Sequence, residues 1–350
     1  MKLGGQKQSQ SSGDNSNNYQ AQGDIVVQGV TEEGARQIAL NVYTENFLQL
    51  GRDAADLALG RAQRLIEDYL RQQQKQAPEG LQQVNDPDFQ SALFEAQKAF
   101  ARSGDEDLEG LLVDILVERS GEPQRNLRQI VLNESIDTVA KLTQEHVDII
   151  TFIFLMRYTS VSARNRSEFA EIWKTNMLQF VPPEGTEDNV YSYLDYVGVA
   201  SVGVMKASIV DTMSTRGSGF LSQGFDAAEG EALTKRDYRV GPLLRPSARD
   251  AAKVELAVAN EDALNERIRQ LEIPPNLAVE LKAKLVPLMI PSAERAAALA
   301  EMIPGFAEVA ARLDQGALGN TILTPVGFAI AHSNAKRAGL NMGPLEIWVK

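Results

Sequence analysis

Residues 143–156 read Thr-Gln-Glu-His-Val-Asp-Ile-Ile-Thr-Phe-Ile-Phe-Leu-Met, the most apolar helical pattern of the chain. Thr143 is a natural N-cap, and Val147 to Met156 is apolar apart from Asp148 and Thr151. A membrane-spanning helix needs about 18–20 consecutive apolar residues almost free of charge. This run is too short, so it predicts a buried core helix. The flanking segments repeat apolar residues at three- and four-residue spacing and carry their own start and stop signals. Asp86-Pro87 opens a helix with Phe89, Leu93, Phe94 and Phe100 that stops near Gly104. Asp105 caps another with Leu108, Leu112, Ile115 and Leu116, ended by Gly121 and Pro123, and Leu127, Ile130, Val131 and Val139 belong to the next. Phe169, Ile172, Trp173, Met177 and Phe180 follow, closed by Pro182-Pro183. Residues 86–215 thus form a helical domain. Its second apolar run, Tyr191 to Val210, contains Asp195 and Lys206 and also fails the membrane test; Gly198, Ala200, Ser201 and Gly203 suit a close helix–helix contact.

Composition agrees with a mainly α chain. Of 350 residues, 43% are hydrophobic and only 6% aromatic, enough to bury a sizeable core across two or three units. The net charge of −12 repels nucleic-acid phosphates and anionic lipid, so contact with either needs a local basic patch. No cysteine is present, which excludes disulfides, thiolate zinc sites and cysteine nucleophiles. Met1 to Ser12 lacks an apolar segment and is no signal peptide. A cytoplasmic protein without stable membrane insertion is expected.

The N-terminal region carries an assembly signal. Residues 1–18 are a polar tail expected to be flexible. Gly13-Asp14 and Gly23-Asp24 repeat at a ten-residue interval, and residues 19–30 alternate, with Tyr19, Ala21, Ile25 and Val27 on one face. Two short strands cannot stand alone in water, so a second copy of the chain is the expected supplier of partners; the alternative is an arm that stays mobile. From Thr31 a helical stripe runs through Ile38, Val42, Tyr43, Phe47, Leu50, Ala54 and Leu57, then shifts to Ala58, Ala62, Leu65 and Tyr69. That length predicts a long helix or coiled coil over 31–75, weakened by Gly51 and Gly60, with a hinge or linker at Arg71–Gln83. The oligomer interface is expected at Tyr19, Ile25, Val27, Ile38, Val42, Phe47 and Leu50.

Glycines and prolines predict a loop over 216–247. Arg216, Lys235, Arg236, Arg239, Arg245 and Arg249 form a candidate anion or nucleic-acid patch in it; the competing reading pairs them with the chain's own carboxylates. Arg216-Gly217-Ser218-Gly219 lacks the Gly-Lys-Ser/Thr of a phosphate-binding P-loop. Residues 248–350 read as a C-terminal helical unit ending in a strand at Thr321–Thr324, a helix at Pro325–Arg337 and a strand at Leu345–Val349. Neither His146 nor His332 belongs to a metal or catalytic pattern, so no catalytic residue, metal or cofactor is expected.

Three stretches resemble a family of bacterial proteins without assigned chemistry. They are Gly13–Ala21 with Gly23-Asp24-Ile25, Ala39-Leu40 and Asn46-Phe47; Leu127–Glu134 with Leu142-Thr143, Glu145 and Phe154–Tyr158; and Leu323–Gly327 through Ile347-Trp348. The Asn-Ser-x-Asn opening is similar to polar β segments ahead of modules in bacterial antiviral defence, which implies that context. Leu-Thr-x-x-Gly followed by a terminal strand resembles the end of a winged-helix domain. The first functional expectation is a self-assembling, non-enzymatic interaction or sensor protein that presents its helical body to a protein partner. The alternatives are a nucleic-acid-associated sensor and a membrane-attacking effector.

Overall fold

The computed structural model describes residues 32–350 apart from 161–162, 184–186, 248–249, 259 and 286–289, with side chains from Gly51 onward. Tyr19, Ile25 and Val27 therefore lie outside the described residues, as do the side chains of Ile38, Val42, Phe47 and Leu50. The chain divides into two units at Leu57/Ala58. Helix α1 (Glu32–Gln76) is continuous through Gly51 and Gly60. In the second unit, its stripe shift at Ala58 marks the point from which the helix packs into the body: Leu65, Tyr69 and Gln73 are fully buried.

The stretch read as a hinge or linker, Arg71–Gln83, is helix in its first half and a connecting turn in its second. Arg71 to Gln76 complete α1, and a 3-10 turn at Pro78–Asn85 follows. The Ser120 hydroxyl donates to Gln73 Oε1 at 2.8 Å, and Gly80 sits so close to both residues that a Cβ would meet Gln73 Nε2 at 2.3 Å. The Tyr69 ring packs 5.7 Å from that of Phe89. Each fully buried large apolar side chain contributes about 1.5–3 kcal/mol, so an isolated body must keep residues 58–76.

The body begins with α2 (Pro87–Ser103), capped by Asp86 and stopped by Gly104 in the left-handed region at φ 64°. It continues with α3 (Glu106–Ser120), capped by Asp105, α4 (Leu127–Val139), capped by Asn126, and α5 (Gln144–Tyr158). In α5 the Thr143 hydroxyl accepts from the His146 N–H, and His146 Nδ1 accepts from the Thr143 N–H at 3.1 Å. This reciprocal cap satisfies two helix-start donors. Val147, Ile149 and every residue through Met156 are buried, Thr151 included. A helix buried all round needs no amphipathic stripe, and the polar residues have partners: Thr151 donates to Val147 O, and Asp148 accepts from Gln144 and Asn334.

Next come α6 (Arg166–Ile172), which runs into a π turn at Trp173–Met177, and α7 (Asp188–Tyr196). Gly198 at φ 83° then ends the helical path, as a left-handed residue after a helix does. Consequently Tyr191–Val210 is not one helix. Ala200–Val202 is strand β1, and α8 (Ile209–Arg216) starts at the Ser208 cap.

The segment predicted as a loop, 216–247, holds regular elements: β2 (Phe225–Asp226), α9 (Ala227–Arg236), a 3-10 turn at Tyr238–Leu243 and β3 (Leu244–Pro246). Strand β4 (Lys253–Leu256) lies between β2 and β3, antiparallel to both. Two glycines that read as breakers are close-approach positions. Gly224 has φ 71° and would place a Cβ 2.9 Å from Val254 O; Gly230 lets α9 settle on the Val254 side chain. With α10 (Glu261–Gln270) and α11 (Pro275–Lys282), these elements enclose a second core of Phe225, Leu233, Leu256, Leu264, Leu277 and Leu281.

The chain then returns to the main core through α12 (Ser292–Met302), α13 (Phe306–Leu313), β5 (Thr321–Leu323) and α14 (Pro325–Arg337). Helix α14 packs on α3, α4 and α5, and its Gly327, Ala329, Ala331 and Ala335 are all buried, small enough for close backbone approach. It is a central helix of the body, not part of a separate winged-helix unit. The expected closing strand is instead a 3-10 turn at Leu345–Ile347. β5 takes β1 as its partner, and the Trp348 indole N–H donates to Tyr158 O at 2.7 Å, sealing the end of α5 in place of a strand ladder.

Candidate functional site

The described cations of the basic stretch are each bound within the chain. Lys235 lies 3.2 Å from Glu231, Arg236 2.8 Å from Glu280, Arg239 2.7 Å from Asp237 and Arg245 2.9 Å from Glu255. Arg249 lies outside the described residues. Arg216 is buried; Nη1 donates to Met156 O at 2.7 Å and Nη2 to Thr159 Oγ1 at 2.9 Å. It caps the C-terminal end of α5, where backbone carbonyls concentrate negative potential. Burial pulls the guanidinium down to about 10. The competing sequence reading, pairing with the chain's own carboxylates, accounts for the other four, so positive charge there is largely neutralised.

The histidines are structural. His146 serves the α5 cap described above. His332 is buried on α14, its Nε2 2.8 Å from Gly343 O and its Nδ1 3.5 Å from Glu118 Oε2. Among the described residues no group of three or more His, Cys, Asp or Glu is placed to hold a metal ion, and no helix is long and apolar enough to cross a membrane.

Two features remain. The first is an exposed apolar surface at β1. In the two-stranded sheet Ala200, Ser201 and Val202 face Leu323, Ile322 and Thr321, and Gly203 N–H continues the ladder to Asn320 O at 2.9 Å. Among the described residues the outer edge of β1 pairs with no strand, and the Val202 N–H there lies 3.5 Å from Asp195 Oδ2. Val204 is 99% exposed, Met205 89% and Tyr196 86%, with Val202 and Ile322 partly so. Single exposed apolar residues are ordinary; several beside such a strand edge make it a candidate interaction surface.

The second is a charged cleft of about 760 Å³ between the end of α1, α3 and α14. From α1 come Asp68, Arg71, Gln72 and Lys75; from α3, Gly110, Asp114 and Glu118; from α14, Ser333, Lys336 and Arg337. Gln72 donates to Asp114, and burial raises the Asp114 carboxyl above its ordinary value, the Gln72 hydrogen bond only partly opposing it. Arg71 pairs with Asp68 at 2.8 Å, and Arg337 with Asp107 at 2.9 Å. Arg337 lies directly across Gly110, where a Cβ would come within 1.5 Å of Nη1. Among the described residues neither Lys75 nor Lys336 has an ion-pair partner. The Ser333 hydroxyl is buried without a hydrogen-bond partner.

A protein-family model matches residues 29–349. The chain belongs to that family. The match takes in the second and third stretches of the sequence resemblance and the Ala39–Phe47 part of the first; Gly13–Ile25 precedes it. No curated protein and no solved structure matches the chain.

Sequence reasoning missed the cleft because its residues come from three distant segments, one of them read as a hinge or linker. A signal was present: His332-Ser333-Asn334 interrupts an otherwise Ala- and Ile-rich run, and polar residues on a buried helix require partners.

Proposed function

We propose that the chain is a self-assembling, non-enzymatic interaction protein of the bacterial cytoplasm. The observation that carries this reading is the edge of β1, unpaired among the described residues, amid exposed Tyr196, Val204 and Met205. The sheet is held by packing of β1 on α7 and of β5 on α5 and α14, so its outer edge is a preformed template for a further strand. Pairing β1 with β1 of a second copy about a two-fold axis would make four strands and cover the apolar residues, the self-complementary contact typical of dimers. The alternating segment Tyr19–Val30 and the stripe Ile38, Val42, Phe47 and Leu50 supply a second contact, with coiled-coil pairing of the first half of α1. Two distinct contacts per copy allow assemblies larger than a dimer. The antiviral-defence setting rests on the resemblance of Gly13–Ala21, and the nucleic-acid alternative loses support from the paired cations.

The test is subunit number by light scattering on full-length protein. Val204→Asp with Met205→Asp, and separately Ile25→Asp with Val27→Asp, should each give smaller species while circular dichroism keeps its helical signal, because charge buried in an interface without a partner costs several kcal/mol. A monomeric wild-type protein, or two variants that both assemble as wild type, would sink the reading.

A further inference from the structure

We propose that the cleft between α1, α3 and α14 binds a phosphorylated sugar, its phosphate held by Lys75 and Lys336 and its hydroxyls by Asp114, Glu118 and Gln72. The volume, about 760 Å³, lies within the range of small-molecule sites, roughly 300–1,000 Å³. The charges divide by role. Arg71 and Arg337 are committed to Asp68 and Asp107 and brace the walls. Lys75 and Lys336 are exposed at the cleft and without ion-pair partners among the described residues, in a chain whose net charge is −12. They are the cations left to meet an anion.

Deeper in, the chemistry changes to hydrogen-bond acceptors. Asp114 and Glu118 are half-buried, and Asp114 already accepts from Gln72. Carboxylates are acceptor-rich groups suited to sugar hydroxyls, each of which is both donor and acceptor. No aromatic ring is among the residues lining the cleft, so a nucleobase would have no stacking platform. A phosphate on a polyol body satisfies both halves of the cleft; inorganic phosphate satisfies one, and a free sugar the other.

Calorimetric titration of the full chain with glucose 6-phosphate and ribose 5-phosphate, beside glucose, inorganic phosphate and ATP, tests this. At least one sugar phosphate should bind more tightly than glucose, inorganic phosphate and ATP, and more weakly at higher salt, which screens exposed charges. Lys75→Gln and Lys336→Gln should each weaken that binding about tenfold or more, the loss expected when a charge-assisted hydrogen bond is removed. Absence of binding by either sugar phosphate at millimolar concentration overturns the proposal. So does equal or tighter binding of inorganic phosphate or ATP, or full affinity in the double lysine variant.

Discussion

Arg119→Met should destabilise the body by about 3 kcal/mol, read as a shift of the urea midpoint at unchanged m-value, because removing one partner of a buried ion pair costs about 3–5 kcal/mol. Arg119 is fully buried near the end of α3. Its Nε donates to Asn133 Oδ1 at 2.7 Å, Nη1 to Glu122 O at 3.0 Å and Nη2 to Asp88 Oδ2 at 2.6 Å. The guanidinium also lies 5.8 Å from the centre of the Phe89 ring. One side chain thus joins α2, α3 and α4. Methionine keeps the stem's packing but strands the acceptors. The cost sits at the low end of the range because the Asp88 side chain is 43% exposed and water can take over there.

The same site sets a pH dependence. Hydrogen bonds from Asn133 and then Arg119 hold the Asp88 carboxyl below its ordinary value. A carboxylate with a depressed folded-state pKa contributes stability that is present above its unfolded value, about 3.9, and lost as pH falls through the folded value. The difference in unfolding free energy between wild type and Arg119→Met should therefore shrink below about pH 4. A gap that stays constant from pH 7 to pH 3 would mean that the ion pair contributes nothing and that the loss is one of packing.

How much of this was legible follows from where the information lies in the chain. Asp86-Pro87 with Gly104, Asp105, and Thr143 announce α2, α3 and α5 because caps act within a few residues. The central place of α14 was not legible: its small residues matter against three helices far upstream, the nearest ending at Tyr158, which no local period reports. Glycines misled in both directions. Gly224 and Gly230 look like breakers of a loop, yet they are where a turn and a helix approach β4. Leu345–Val349 has strand composition, but Trp348 spends its N–H on Tyr158, and the partner of β5 comes from β1. The Arg/Lys stretch was legible as charge, while its carboxylates at Glu255 and Glu280 were not legible as its partners.

The largest single effect is expected at Gly327, and Gly60 supplies the opposite sign for the same substitution. Thr324 caps α14 with its hydroxyl accepting from the Gly327 N–H at 3.2 Å while it donates to Gly198 O at 2.6 Å. The Thr324 N–H donates to Val199 O at 3.1 Å. The first turn of α14 is thereby pressed onto the backbone that links α7 to β1, and a Cβ on Gly327 would lie 1.9 Å from Val199 O. No rotamer relieves a clash between a Cβ and a main-chain carbonyl. Alanine there must push α14 away from β1, breaking the cap and loosening the helix that packs on α3, α4 and α5, at a cost of about 4 kcal/mol or more, the range kept for such core overpacking combined with a lost cap. Gly60 lies inside α1 with nothing within 4 Å of an added Cβ. Gly60→Ala should stabilise the chain by about 0.5–1 kcal/mol through helix propensity alone. Urea unfolding of both variants reads the two outcomes, and a Gly327→Ala protein as stable as wild type would show that α14 does not sit against β1 as closely as Val199 and Thr324 require.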